Sequence, residues 1–230
     1  LFRYLGDGTL DNSFSSNGQV AAPETSTLYG VALQTNGSIV GAGTRTNNDP
    51  DMFLFRTDAN GTPDTGLGGV EGKSYNVGVP DYAYGMALDS VGKIVMVGTD
   101  GSGMEKYALA RVLPGGDLDT GFGTGGIVKG GFASGLKASF LRAVVLQPDD
   151  RILAIGYAIA GAEENSPCAV LRLMPDGTPD PEFATGGVFL WKTGAGKLGH
   201  WLYAGAIHDG RLVAVGRRSD AGWMVLRIWL

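Results

Sequence analysis

With 230 residues, 43% of them hydrophobic, the chain is long enough to bury a substantial core. Its net charge of −5 argues against a nucleic-acid partner, whose phosphates call for clustered Lys and Arg. One cysteine excludes an internal disulfide, two histidines leave too few ligands for a zinc centre, and no run of about 18 apolar residues exists to enter a membrane.

The chain opens inside a pattern. Arg3 is followed by Gly8 and Asp11, then by Phe14 and Asn17-Gly18. Such a start reads as a processed end or as a piece of a longer polypeptide, so a missing signal peptide is no argument for the cytoplasm. Residues 29–37 and 38–43 then form two apolar, β-branched runs around Asn36-Gly37, which predicts a β-hairpin. After a loop at 44–51, Met52-Phe-Leu-Phe-Arg56 is apolar on both faces, as expected of a strand buried inside stacked sheets. A turn over 58–61 leads to Asp64, Leu67 and Gly68-Gly69.

The same order then returns. Hairpins are predicted at 84–98, 142–156 and 202–216, with loops at 99–106, 157–167 and 217–222. Arginine-bearing strands follow at 107–111, 168–172 and 223–227, and turns at 114–116 and 175–177. The phrase Arg, Gly five residues on and Asp eight residues on occurs as Arg3/Asp11, Arg56/Asp64, Arg111/Asp119 and Arg172/Asp180, and Arg227 starts it again. Steps between arginines are 53, 55, 61 and 55 residues, a period that marks a repeat architecture. The repeat units run over 4–56, 57–111, 112–172 and 173–227 of one continuous array. Four short strands per unit with no helical periodicity predict an all-β fold, a β-propeller of four four-stranded units that forms all or part of a ring. Five arginine strands against four hairpins leave one strand too many for a closed four-blade ring, which predicts a fragment of a longer propeller or an open array capped by a neighbour, since unpaired ends would be sticky edges needing cover.

The phrases Leu109-Ala-Arg-Val-Leu-Pro-Gly-Gly-Asp-Leu-Asp-Thr-Gly-Phe-Gly-Thr-Gly-Gly126 and Val145-Leu-Gln-Pro-Asp-Asp-Arg-Ile-Leu-Ala-Ile-Gly156 resemble the bacterial delta-60 repeat. That resemblance extends over nearly the whole chain. It implies a β-propeller in a large exported protein, hence an extracellular or cell-surface location. It implies no reaction and no catalytic residue. The first repeat is looser at Ser15-Ser16-Asn17-Gly18, and the last hairpin departs at Ile207-His208.

Repetition gives most distinctive residues a structural reading. Each Arg can fold back on its Asp across one glycine turn, so Arg3, Asp11, Arg56, Asp64, Arg111, Asp119, Arg172 and Asp180 are expected to be structural latches. No cofactor is expected; calcium is the alternative at 58–64, but that turn lacks the later acidic ligand and its sister turns cannot supply the same oxygens. All four tryptophans fall in the last forty residues. Trp223 and Trp229 occupy repeat slots and read as packing positions. Trp191 and Trp201 flank an irregular loop at 192–199 and are the candidate ligand surface. Gly194-Ala-Gly-Lys197 is not a phosphate loop, because the glycine spacing and the following Ser/Thr are absent. His208 falls in a hairpin turn, His200 in a variable loop, and Cys168 on a doubly apolar strand where a thiol is inert.

These readings describe a non-catalytic module that binds a protein or a glycan, or associates with itself through open propeller ends. The alternatives are an accessory propeller of a larger secreted enzyme and a hydrolase with its site at the central channel. The variable loops, the third of which carries Glu163-Glu164-Asn165, should share one face and are the further place for binding.

Overall fold

A computed structural model describes residues 1–46, 48–101, 106–161, 166–192, 198–220 and 222–230. Four antiparallel sheets follow one another along the chain. The first holds β1 (Ser26–Leu33), β2 (Ile39–Thr46), β3 (Pro50–Thr57) and β4 (Lys73–Tyr75). The second holds β5 (Asp81–Leu88), β6 (Ile94–Asp100), β7 (Lys106–Val112) and β8 (Ile127–Gly130). In the third are β9 (Ala138–Leu146), β10 (Ile152–Ile159), β11 (Cys168–Leu173) and β12 (Val188–Trp191). The fourth has three strands, β13 (His200–His208), β14 (Arg211–Arg218) and β15 (Trp223–Trp229). Strands pair in sequence order, the meander of a propeller blade. Among the described residues the helical structure is two short 3₁₀ turns, Thr65–Leu67 and Gly69–Glu71.

Each sheet straddles two of the sequence units, because the sheet begins with the hairpin and ends beyond the arginine phrase. Residues ahead of β1 make only isolated bridges, Phe2 with Gln19 and Tyr4 with Leu10. They are the outer half of a further sheet, docked on the first through Phe14, Val20, Phe53 and Phe55.

The core lies between sheets. Met52, Leu54, Ala83 and Met96 join the first sheet to the second. Leu109, Leu141, Ile152 and Leu171 join the second to the third, and Ile155, Val170, Leu202 and Leu212 join the third to the fourth. The interior strands β6, β7, β10 and β11 are therefore buried on both faces, which is why their sequences lack period-two alternation. At about 2 kcal/mol per buried Leu or Ile side chain, neighbouring sheets stabilise one another, and none has a core of its own.

Two details differ from expectation. The connection between β2 and β3 is tighter than 44–51, since those strands extend to Thr46 and from Pro50. His200 is not in a loop: it is the first residue of β13 and fully buried. Each of the four variable connections joins the second strand of a sheet to the third, so all four emerge at the same end of their sheets. The acidic run at 163–165 lies outside the described residues.

Candidate functional site

The arginine phrase forms a joint between sheets. Nε of Arg3, Arg56, Arg111 and Arg172 stands 2.7, 2.6, 2.8 and 2.8 Å from Oδ2 of Asp11, Asp64, Asp119 and Asp180. The other carboxylate oxygen caps the turn, accepting from the amide two residues on at Ser13, Gly66, Gly121 and Glu182. The intervening glycines, Gly8, Gly61, Gly116 and Gly177, all have φ between 84° and 96°, a conformation that other residues adopt only with strain. Nη1 of each of the first three arginines then donates to a carbonyl in the turn after the next sheet's third strand, at Ala59, Pro114 and Pro175. The apolar residue after the Asp closes the joint, with Arg3, Arg111 and Arg172 lying 4.7, 4.5 and 4.6 Å above the rings of Phe14, Phe122 and Phe183. Lys93 adds a second cation on Asp119, at 2.9 Å. Although burial works against it, this carboxylate is held below its ordinary pKa by the Lys93 hydrogen bond, the Gly121 amide and the Arg111 charge.

The Asp58 carboxylate in the suspected calcium turn accepts from the amides of Asn60 and Thr62, both 2.8 Å away. Among the described residues no cluster of three or more His, Cys, Asp or Glu side chains is placed to hold an ion.

The two candidate tryptophans separate. Trp201 is 5% exposed, packed with Phe140 and Tyr157 and covered by Arg217 at 4.7 Å, so its indole is part of the interior. Trp191 is half-buried beside His200 and lines a hollow of about 250 Å³ with Leu136, Ala160, Pro167, Leu190 and Lys192. Residues 193–197 of the loop between them lie outside the described residues.

The nucleophile candidates are unsuited to attack. Burial pushes the Cys168 thiol up to about 12, and its Sγ donates to the Trp191 carbonyl. Burial, then the Arg218 charge, draws His200 below its ordinary value. His208 is exposed next to Asp209.

A different group of residues converges at the inner edge of the array, where the first strands of successive sheets contact one another. Each first strand carries one β-bulge, and the unpaired residue is Tyr29, Tyr84, Arg142 or Tyr203. Opposite each bulge stands a glycine, Gly43, Gly98, Gly156 or Gly216. A Cβ on any of them would lie 1.7–1.8 Å from a backbone carbonyl oxygen of the bulged strand, so the close approach requires glycine. The bulge register also aligns Tyr203, rather than Leu202, with the start of the other hairpins.

These bulges make a row. The rings of Tyr29 and Tyr84 are 5.6 Å apart and edge-to-face, and Tyr82 stacks on Tyr84 at 6.2 Å. The Arg142 guanidinium lies 4.1 Å above Tyr84, 5.5 Å from Tyr157 and 5.6 Å from Phe140, and its Nη2 donates to the Tyr157 hydroxyl at 2.8 Å. Tyr157 in turn meets Tyr203 at 6.4 Å. Burial opposes the Arg142 charge, but the Tyr157 hydroxyl and the neighbouring tyrosines outweigh it and hold the side chain above the ordinary arginine value. Sequence reasoning passed over this row because each member opens an ordinary-looking hairpin. The available signal was Arg142, a lone cation in a slot otherwise held by aromatic residues.

Three stretches of the chain, 34–67, 92–122 and 147–183, match a family model described as a domain of unknown function (DUF5122) beta-propeller. Each match begins at the hairpin turn, crosses the second and third strands of one sheet, and ends at or near the apolar residue that follows the latch aspartate. No curated protein matches the chain. Over these three repeats the chain is similar to the DUF5122 β-propeller family, which is consistent with the delta-60 type of repeat that its sequence resembles.

Proposed function

We propose that the chain is a non-catalytic propeller module, secreted or displayed on a cell surface, that works by associating with a further copy of itself through its fourth sheet. One observation carries this reading. In β3, β7 and β11 the position four residues before the arginine is held by Met52, Tyr107 and Cys168, each at most 7% exposed. The same slot in β15 is Trp223, which is 91% exposed, with Val225 at 69% and Trp229 at 71% on the same face. Interior sheets bury this face against their neighbour, so its chemistry is that of a sheet-to-sheet contact. An apolar patch of this kind on a protein surface marks an interaction site. A complementary first-strand face is exposed at the other end, where Tyr29, Val31 and Leu33 are 55, 64 and 71% exposed. Their slots in β5 include Met86 and Leu88, which pack against the first sheet. Export is supported by the resemblance of the repeats alone.

Sedimentation of the 230-residue chain tests the reading. Oligomers that dissociate to monomer in Trp223→Glu are the expected result. A wild-type chain that stays monomeric across micromolar concentrations would sink it.

A further inference from the structure

The inner-edge row holds a cation, Arg142, that no carboxylate among the described residues pairs. Arg3, Arg45, Arg56, Arg111, Arg151, Arg172 and Arg218 each lie within 4.0 Å of a carboxylate. Among the described residues Arg142, Arg211, Arg217 and Arg227 have none, and of these only Arg142 lies between two of the first three sheets, the other three being on the fourth. Arg142 is half-buried between the second and third sheets, in a protein of net charge −5, with aromatic rings as its neighbours and one hydrogen bond, to Tyr157. The tyrosine faces stabilise the cation, yet they accept little from its N–H groups. One Nη2 hydrogen is used, and the Nη1 hydrogens and the second Nη2 hydrogen form the edge that takes a carboxylate with two parallel bonds.

We propose that this row is a binding site for a carboxylated glycan, with Arg142 taking the carboxylate of a uronic-acid residue and the tyrosines at the bulges supporting the adjoining sugar rings. Within the row Arg142 is the one cation, and Arg217 borders Tyr203 at its fourth-sheet end. A polyphosphate or nucleic acid calls for clustered cations, whereas one carboxylate flanked by neutral rings calls for one. The flanking platforms are tyrosines: Tyr29 and Tyr203 are 55% and 42% exposed, and each offers an apolar face for the C–H side of a pyranose and a hydroxyl for its polar rim. The bulges place one such side chain on every sheet, so the row follows the inner edge in steps and suits an extended oligomer more than a compact small molecule. The row shares Tyr29 with the first-strand face and Tyr203 with the hollow beside Trp223, so every titration is repeated in Trp223→Glu, where binding that persists separates the glycan site from self-association.

The probe is a neutral xylo-oligosaccharide carrying a single glucuronic-acid residue, titrated calorimetrically against the 230-residue chain, with its methyl ester, a tetrapeptide carrying one glutamate and inorganic phosphate as controls. Binding of the free acid is expected, about tenfold or more weaker for the ester and for Arg142→Gln, with partial retention in Arg142→Lys. Tyr29→Ala changes an exposed side chain and leaves the fold intact; it should weaken binding several-fold, which keeps the proposal testable where Arg142→Gln loses stability. Equal affinity for acid and ester would overturn the role of Arg142. Equal affinity for the glutamate peptide or for phosphate would overturn the sugar assignment, and absence of binding to oligosaccharides carrying a single glucuronate, galacturonate or mannuronate alike would overturn the site.

Discussion

Arg111 shows what one residue does in this repeat. Its guanidinium joins Asp119 in its own sheet's β7–β8 connection, the Pro175 carbonyl in the next sheet, and the Phe122 ring beneath it. The residue is 7% exposed and Asp119 is 8% exposed, so removing one partner strands a buried charge. Arg111→Ala should lower the unfolding free energy by about 3–5 kcal/mol, read from urea melts. Arg111→Lys should recover less than half of that, because an ammonium cannot serve carboxylate, carbonyl and ring from one plane. Wild-type stability in either variant would refute the joint. The pairing itself was legible from an eight-residue spacing. The turn carbonyl of the next sheet was not, since it is more than fifty residues away in the chain.

At the scale of strands, the bulge and the glycine facing it act as one device. A Cβ at Gly98 would stand 1.7 Å from the Tyr82 carbonyl oxygen. Gly98→Ala must therefore flatten the bulge and turn Tyr84 out of the row, at a cost of about 2 kcal/mol or more. Loss of the ring-current shifts around Tyr84 would register it in NMR spectra, and unchanged shifts would count against it. A second junction lies at the start of β5. Asp81 is fully buried and accepts from the amides of Met52, Val77 and Gly78, at 2.5, 2.7 and 2.8 Å, which ties β5 to β3 and to the connection after β4. Burial outweighs those three donors and raises its pKa from 3.8 to about 6. The folded state thus holds this proton where the unfolded chain has released it. Its contribution is complete below about pH 4, falls as pH rises toward 6, and is constant above. The fall should be on the order of 2–3 kcal/mol, from about 1.4 kcal/mol per tenfold change in proton affinity. Asp81→Asn should remove that slope from a pH series of urea melts, and persistence of the slope would assign it elsewhere.

For the whole molecule, the sheets form a stack in which stability is shared between neighbours. Interior sheets are covered on both faces, while the fourth leaves Trp223, Val225 and Trp229 open. If a second copy covers them, the wild-type melting temperature should rise with protein concentration by mass action, and Trp223→Glu should lose that dependence. The same stacking brings Tyr29, Tyr84, Arg142 and Tyr203 to one edge, although no two share a sheet.

The period, the four-strand meander and the Arg–Asp spacing are determined by the sequence alone. They depend on contacts within one unit and recur with every repeat, so local pattern carries them. Trp201 and His200 were misplaced because burial depends on what neighbouring sheets contribute, and the neighbours are distant in the chain. Trp223 read as a packing position because its slot is one. Only the stack shows that this copy of the slot is exposed among the described residues. The inner-edge row is tertiary for the same reason: each bulge supplies a single side chain, and the Arg142 guanidinium meets Tyr84 only once the second and third sheets have been set side by side.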